Sequence, residues 1–104
     1  MIVTTTNDVA GRTVIQYLGV VRGIVVRSPN IAQGLLGGLQ SIVGGNNEQY
    51  ANVCETAREE AFQRMVQHAL QIGADAIIAV RYDATEFAQS TTEVLAYGTA
   101  VRLG

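Results

Sequence analysis

The side chains that could do chemistry in this chain are few. Cys54 and His68 are the one Cys and the one His, and they are the only soft metal-ligand candidates. They stand fourteen positions apart in what reads as a single helix. That is about 21 Å along the axis at 1.5 Å per residue, too far for one ion within one chain. A metal site using both therefore needs Cys54 of one copy and His68 of another. No CxxC, HxxxH or HxH spacing occurs. Without that sharing, Cys54 reads as a small apolar residue on the core stripe and His68 as a residue flanking it. Nucleophilic catalysis needs a base beside the nucleophile, and Cys54 and His68 are too far apart to supply it. Ser28, Ser41 and Ser90 lack a GxSxG context. Glu55, Glu59 and Glu60 look like paired carboxylates, but they fall on the solvated side of the helix. The expectation is a protein without enzymatic activity and without a cofactor.

Two glycine-rich stretches suggest anion binding. Gly34-Leu35-Leu36-Gly37-Gly38 has no Lys after it, and the chain has no Lys at all, which excludes a Walker A site. Gly44-Gly45-Asn46-Asn47 stands directly before the long helix. Its free backbone N–H groups and the helix dipole make it a candidate anion site; the plainer reading is a flexible entry turn. Arg22 and Arg81 interrupt apolar strand runs, with Arg27 and Arg102 also in or at the ends of strands. They either pair with carboxylates, Glu93 and Asp83 being suitable, or line a shared anion site. An Arg–carboxylate pair at an interface selects the geometry of assembly more than it adds stability.

These residues sit in a chain of 104 residues, the size of one domain. Seven basic residues, all Arg, against nine acidic ones give a net charge of −2, and charged residues make up 15% of the whole. A disordered chain is more charged and less apolar. A nucleic-acid binder of the basic type does not carry net negative charge on seven scattered Arg. One Cys builds no disulfide scaffold. The N-terminus has no basic n-region, and the most hydrophobic stretch, 31–43, is too short to span a bilayer. A soluble, cytoplasmic protein that binds neither nucleic acid nor membrane is expected.

The elements that must position these side chains follow from periodicity. Residues 2–5 form a short strand, and Gly11 marks a turn. Residues 13–27 are rich in Val and Ile on both alternations, a long strand covered on two faces, with Gly19 and Gly23 as places for a bend or bulge. Ser28-Pro29-Asn30 stops it. Ile31, Leu35, Leu39 and Ile42 then share one helical face in a glycine-rich helical segment over about 30–43, marginal by itself and held by packing. No charge occurs from 28 to 47, so that stretch is expected to be buried on assembly. A long helix over 48–72 carries Tyr50, Cys54, Ala57, Ala61, Met65, Ala69 and Ile72 on one face and ends at Gly73. Val66 and Leu70 widen its apolar surface and suggest a second contact. Residues 75–82 form a strand apolar on both faces, 83–90 a polar connection and 91–103 a second long strand. The result is an α+β two-layer sandwich in one domain, 1–104. One helix covers one face of its sheet, and copies of the chain are left to cover the other.

Several segments together resemble the YbjQ-like family of small uncharacterised bacterial proteins, which carries a heavy-metal-binding label. They are Ile2-Val3-Thr4-Thr5-Thr6, Tyr17-Leu18-Gly19-Val20-Val21-Arg22-Gly23, Ile42-Val43-Gly44-Gly45, Ala57-Arg58-Glu59, Gly73-Ala74-Asp75-Ala76-Ile77-Ile78 and Gly98-Thr99-Ala100-Val101-Arg102-Leu103. The resemblance runs over nearly the whole chain. It implies a dodecin-subunit-like fold, β-α-β-β with an antiparallel sheet ordered 1-3-2. It also implies a ring-shaped homopentamer whose neighbours are joined by extra short strands. The chain departs from the family pattern in having Asn46 where Arg is usual, and no charge between Asn30 and Ile42.

Overall fold

The structure, a computed structural model, describes residues 1–27, 47–88 and 91–104. The glycine-rich segment over 30–43 and the uncharged stretch around it lie outside those residues, apart from Asn47 at the helix start. The elements in chain order are β1 (Ile2–Val3), β2 (Val14–Arg27), α1 (Asn47–Gln71), β3 (Ala76–Ala88) and β4 (Thr91–Leu103). They make an α+β molecule with one helix and a four-stranded sheet ordered β1-β3-β4-β2. The sheet is mixed. β3 and β2 flank β4 antiparallel, but β1 joins β3 in parallel, Ile2 opposite Ala76 and Val3 opposite Ile77. The three long strands are antiparallel as expected, and the short N-terminal strand, whose pairing was not predicted, makes the sheet mixed. Such a pairing joins residues more than seventy apart, so no local pattern announces it.

α1 starts and stops one residue before the predicted span. Its stripe Ala57, Ala61, Met65 and Ala69 is fully buried, with side chains at i, i+4 stacked on one face. The C-terminus closes as a Schellman motif. Gly73 takes φ +80°, its N–H donates to Leu70 O at 3.1 Å, and the N–H of Ala74 donates to Ala69 O at 3.1 Å. Ile72, expected on the buried face, is 40% exposed just beyond the helix.

The stripe packs on the sheet residues that alternate inward: Val21 and Val25 of β2, Ile77 and Val80 of β3, and Val94, Ala96 and Ala100 of β4. Burying each of the larger aliphatic side chains contributes about 1.5–3 kcal/mol. The helix lies chiefly over β2 and β4. Gly23 lets it come close: a Cβ there would collide with Ala61 O and sit 2.5 Å from Met65 N. Gly23 stays in register opposite Ala96, so it is a site of close approach and not the expected bulge. The β2–β4 register shifts instead between Val14 and Gln16 and between Tyr17 and Gly19, with Gly19 at φ +111°. A bulge on β3, between Ile78 and Arg81, holds Ala79 at φ 53°. It is supported from the N-terminal segment, with Ala79 N–H donating to Thr6 O and Val80 N–H to Thr4 O.

β3 runs on to Ala88, so 83–88 is strand and not the polar connection expected. On the sheet face away from α1, a smaller cluster of Ala76, Ile78, Val101 and Leu103 is covered by Val9 and Val14. Among the described residues that cover reaches one end of the face only.

Candidate functional site

Beyond the small cluster, no described residue covers the outward face, and the strand registers place its residues in rows across β2, β4 and β3. Arg22, Tyr97 and Arg81 form one row, Ile24, Leu95 and Asp83 the next, and Val26, Glu93 and Thr85 the third. These positions alternate with the buried Val21, Gly23, Val25, Val94 and Ala96, which fixes them on the face opposite the helix. Val20 is 66% exposed, Val26 51% and Ile24 37%. The face thus has an apolar centre edged by Arg and carboxylate side chains.

The two Arg of the first row are not equivalent. Arg81 Nη1 donates to Thr5 O at 3.0 Å and to Val80 O at 2.8 Å, so its guanidinium clamps the N-terminal segment to the β3 bulge. Arg22 has no side-chain partner among the described residues, and Arg22 and Arg81 stand about 9.5 Å apart, two strand spacings. Arg22, Asp83 and Glu93 form no ion pair among the described residues. The expected pairing of strand Arg with Asp83 or Glu93 is therefore not made within the described part of the chain. Tyr97, between the two Arg, is the member that sequence reasoning missed. Its only signal was a shared alternation with Leu95, and cross-strand register is what adds the Arg neighbours.

His68 sits half-buried in the last turn of α1, where its Nδ1 accepts the backbone N–H of Arg22 at 3.3 Å. Cys54 lies on the same helix, about 21 Å away along the axis. Among the described residues no three His, Cys, Asp or Glu are grouped as a metal site. The residues described do not fit a metal ion held by one chain. Asn47 is the first residue of α1; Gly44, Gly45 and Asn46 lie outside the described residues.

The helix carboxylates are used along the helix. Glu55 pairs with Arg58 at 3.4 Å, Glu60 with Arg64 at 2.9 Å, and Glu59 accepts from Gln63 at 2.9 Å. Tyr82, half-exposed on the helix side of β3, feels them. Partial burial and the charges of Glu59 and Glu55 push its hydroxyl above the ordinary tyrosine value, against a smaller opposing effect of Arg58.

A sequence profile of the YbjQ family, described as "Putative heavy-metal-binding", matches residues 1–104. The chain belongs to the YbjQ family. Relatives of this YbjQ chain include a UPF0145 protein of Legionella pneumophila, 60% identical over 97% of this chain and 96% of the relative. A UPF0145 protein of Solibacter usitatus is 54% identical over 97% and 90% of the two chains. One of Francisella tularensis is 50% identical over 97% of each. A crystal structure from Pediococcus pentosaceus, described as a protein of unknown function in the DUF74 family, superposes with a TM-score of 0.63. It is 21% identical and covers 100% of this chain and 98% of that one, so it is similar in fold. No described helix of the YbjQ chain is long and apolar enough to cross a membrane.

Proposed function

We propose that this chain is a non-enzymatic, cytoplasmic homo-oligomer with dodecin-like subunits, a ring of five, that binds a small ligand or anion where subunits meet. One observation carries the reading: among the described residues nothing covers the outward face of the sheet around Val20, Ile24, Val26 and Tyr97. The shape supports it. The radius of gyration is 16.8 Å, whereas a compact chain of this length has about 13 Å. A small domain that elongated buries little of its own surface, and copies of itself supply the missing burial. The number five comes from the family resemblance in the sequence.

The ligand arm of the reading uses Arg22, whose guanidinium is uncommitted among the described residues, together with Arg81 and the sequence Gly44-Gly45-Asn46-Asn47. Inorganic phosphate is the first probe, and heat from its titration that disappears in Arg22→Gln is the expected result. Size-exclusion chromatography with light scattering at micromolar concentration is expected to give the pentamer. A monomer would overturn the assembly.

The family description favours a second reading, a metal ion held by Cys54 of one copy and His68 of another. Nε2 of His68 is the nitrogen not taken up by Arg22 N–H.

A further inference from the structure

Three successive carbonyls of the N-terminal segment converge on one irregularity in β3. Thr4 O accepts the N–H of Val80 at 3.0 Å, Thr5 O accepts Arg81 Nη1 at 3.0 Å, and Thr6 O accepts the N–H of Ala79 at 2.8 Å. Arg81 Nη1 also donates to Val80 O at 2.8 Å, so its side chain braces both partners. Ala79 sits there at φ 53°, a left-handed conformation that a residue with a Cβ keeps only where its surroundings impose it. At the same place the pairing with β4 shifts. Ile78 stands opposite Thr99 and Arg81 opposite Tyr97, a step of three residues on β3 against two on β4. Side chains alternate faces along a strand, so the extra residue reverses the alternation beyond it. Ile77 and Val80 both face the helix, and Arg81 and Asp83 fall on the outward face. Without the bulge, residues 79, 81 and 83 would follow Ile77 onto the helix side, and Tyr82 would turn outward.

We propose that residues 4–6 are a register lock: docked as a strap, they hold the β3 bulge and so decide which face of the sheet carries Arg81 and Asp83. When the strap undocks, Ala79 and Val80 lose their acceptors and the bulge is released. Pairing beyond Ile78 then runs one for one, with Ala79 opposite Gly98 and Arg81, in place of Tyr82, opposite Ala96. The far end can take up the residue, because the pairing already shifts between Glu86 and Ala88. Arg81 thereby leaves the row it shares with Arg22 and Tyr97. The strap is drawn from the part of the fold that opens most readily, since β1 contributes two residue pairs and Met1 and Ile2 are exposed. Whatever meets the outward face meets Arg81 and Asp83 there only while the strap is docked. The lock requires neither assembly nor a bound anion.

The test is amide hydrogen exchange with cross-strand NOEs on the full chain. In the wild type the amides of Thr4, Ala79 and Val80 exchange as one unit, with a shared dependence on denaturant; unrelated dependences overturn the lock. R81Q removes the brace. The amides of Ala79 and Val80 then exchange about tenfold faster or more, and the NOEs show position 81 opposite Ala96 in part of the molecules. Gly is at ease with positive φ, so R81Q/A79G returns to the Tyr82–Ala96 pairing alone. An R81Q chain that keeps that pairing alone, or a double variant that slips as far as R81Q, overturns the proposal. If R81Q does not fold, A79G by itself decides: slower exchange at Val80 supports the lock, and unchanged or faster exchange overturns it.

Discussion

His68 Nδ1 accepts the backbone N–H of Arg22 at 3.3 Å, tying the last turn of α1 to β2, the last strand in the order β1-β3-β4-β2. One turn earlier, Arg64 Nη1 donates to Ile24 O at 2.5 Å. Two helix side chains four residues apart thus satisfy edge-strand groups two residues apart. An edge strand with unpaired backbone groups is open to stray pairing, and these contacts close part of it. His68→Ala is expected to cost about 1 kcal/mol, the net worth of one such hydrogen bond. Urea unfolding checks it; an unchanged midpoint would mean that the contact adds nothing to stability.

The approach of α1 to the sheet depends on Gly23, because a methyl group there meets helix backbone and not a side chain that can turn away. Gly23→Ala is expected to destabilise the chain by about 3 kcal/mol, as overpacking against backbone does. Gly11→Ala, which meets nothing within 4 Å but sits at φ +77°, carries only the strain of its backbone, about 1 kcal/mol. Chemical denaturation of the two variants side by side should show that difference; equal losses would contradict the close approach.

Tyr82 gives a pH dependence with a definite sign. Its hydroxyl is raised above the ordinary value by partial burial and by Glu59 and Glu55. The folded chain therefore keeps the proton longer than the unfolded one. The small stability this confers is present below the ordinary tyrosine range and is lost as pH rises through the folded-state value. Phenolate absorbance during alkaline titration should show a late component that is missing in Tyr82→Phe and moves to lower pH in Glu59→Gln. A titration that Tyr82→Phe leaves intact would contradict the assignment.

Metal binding can be tested by its two soft donors. Because α1 separates Cys54 and His68 by about 21 Å, the monomer cannot chelate through both. Zinc and copper titrations of the wild type and the Cys54→Ala/His68→Ala double variant are expected to be alike. A loss of affinity confined to the double variant, in the oligomeric fraction, would establish the shared site in place of the anion reading.

Much of the fold could be read from periodicity where one face of an element is apolar. The stripe Ala57, Ala61, Met65 and Ala69 located α1 to within a residue, and Gly73 marked its end because only a residue at ease with positive φ closes a Schellman motif. The continuation of β3 over 83–88 was hidden, since Asp83 to Glu86 are exposed on both alternations and leave no apolar period to detect. The parallel joining of β1 was hidden because it is non-local. Arg22, Arg81 and His68 were recognised as individual residues. That Arg81 holds a bulge, and that His68 meets the backbone of Arg22, depends on register and on φ at Ala79, neither of which any residue type encodes.

The outward face, which no described residue covers beyond its one end, is the central feature, and the claim built on it is that copies of the chain cover it. Native mass spectrometry of the wild-type chain at micromolar concentration tests this most directly. The account predicts a dominant species at five times the 11.1 kDa chain mass. A spectrum holding only the single chain would contradict it.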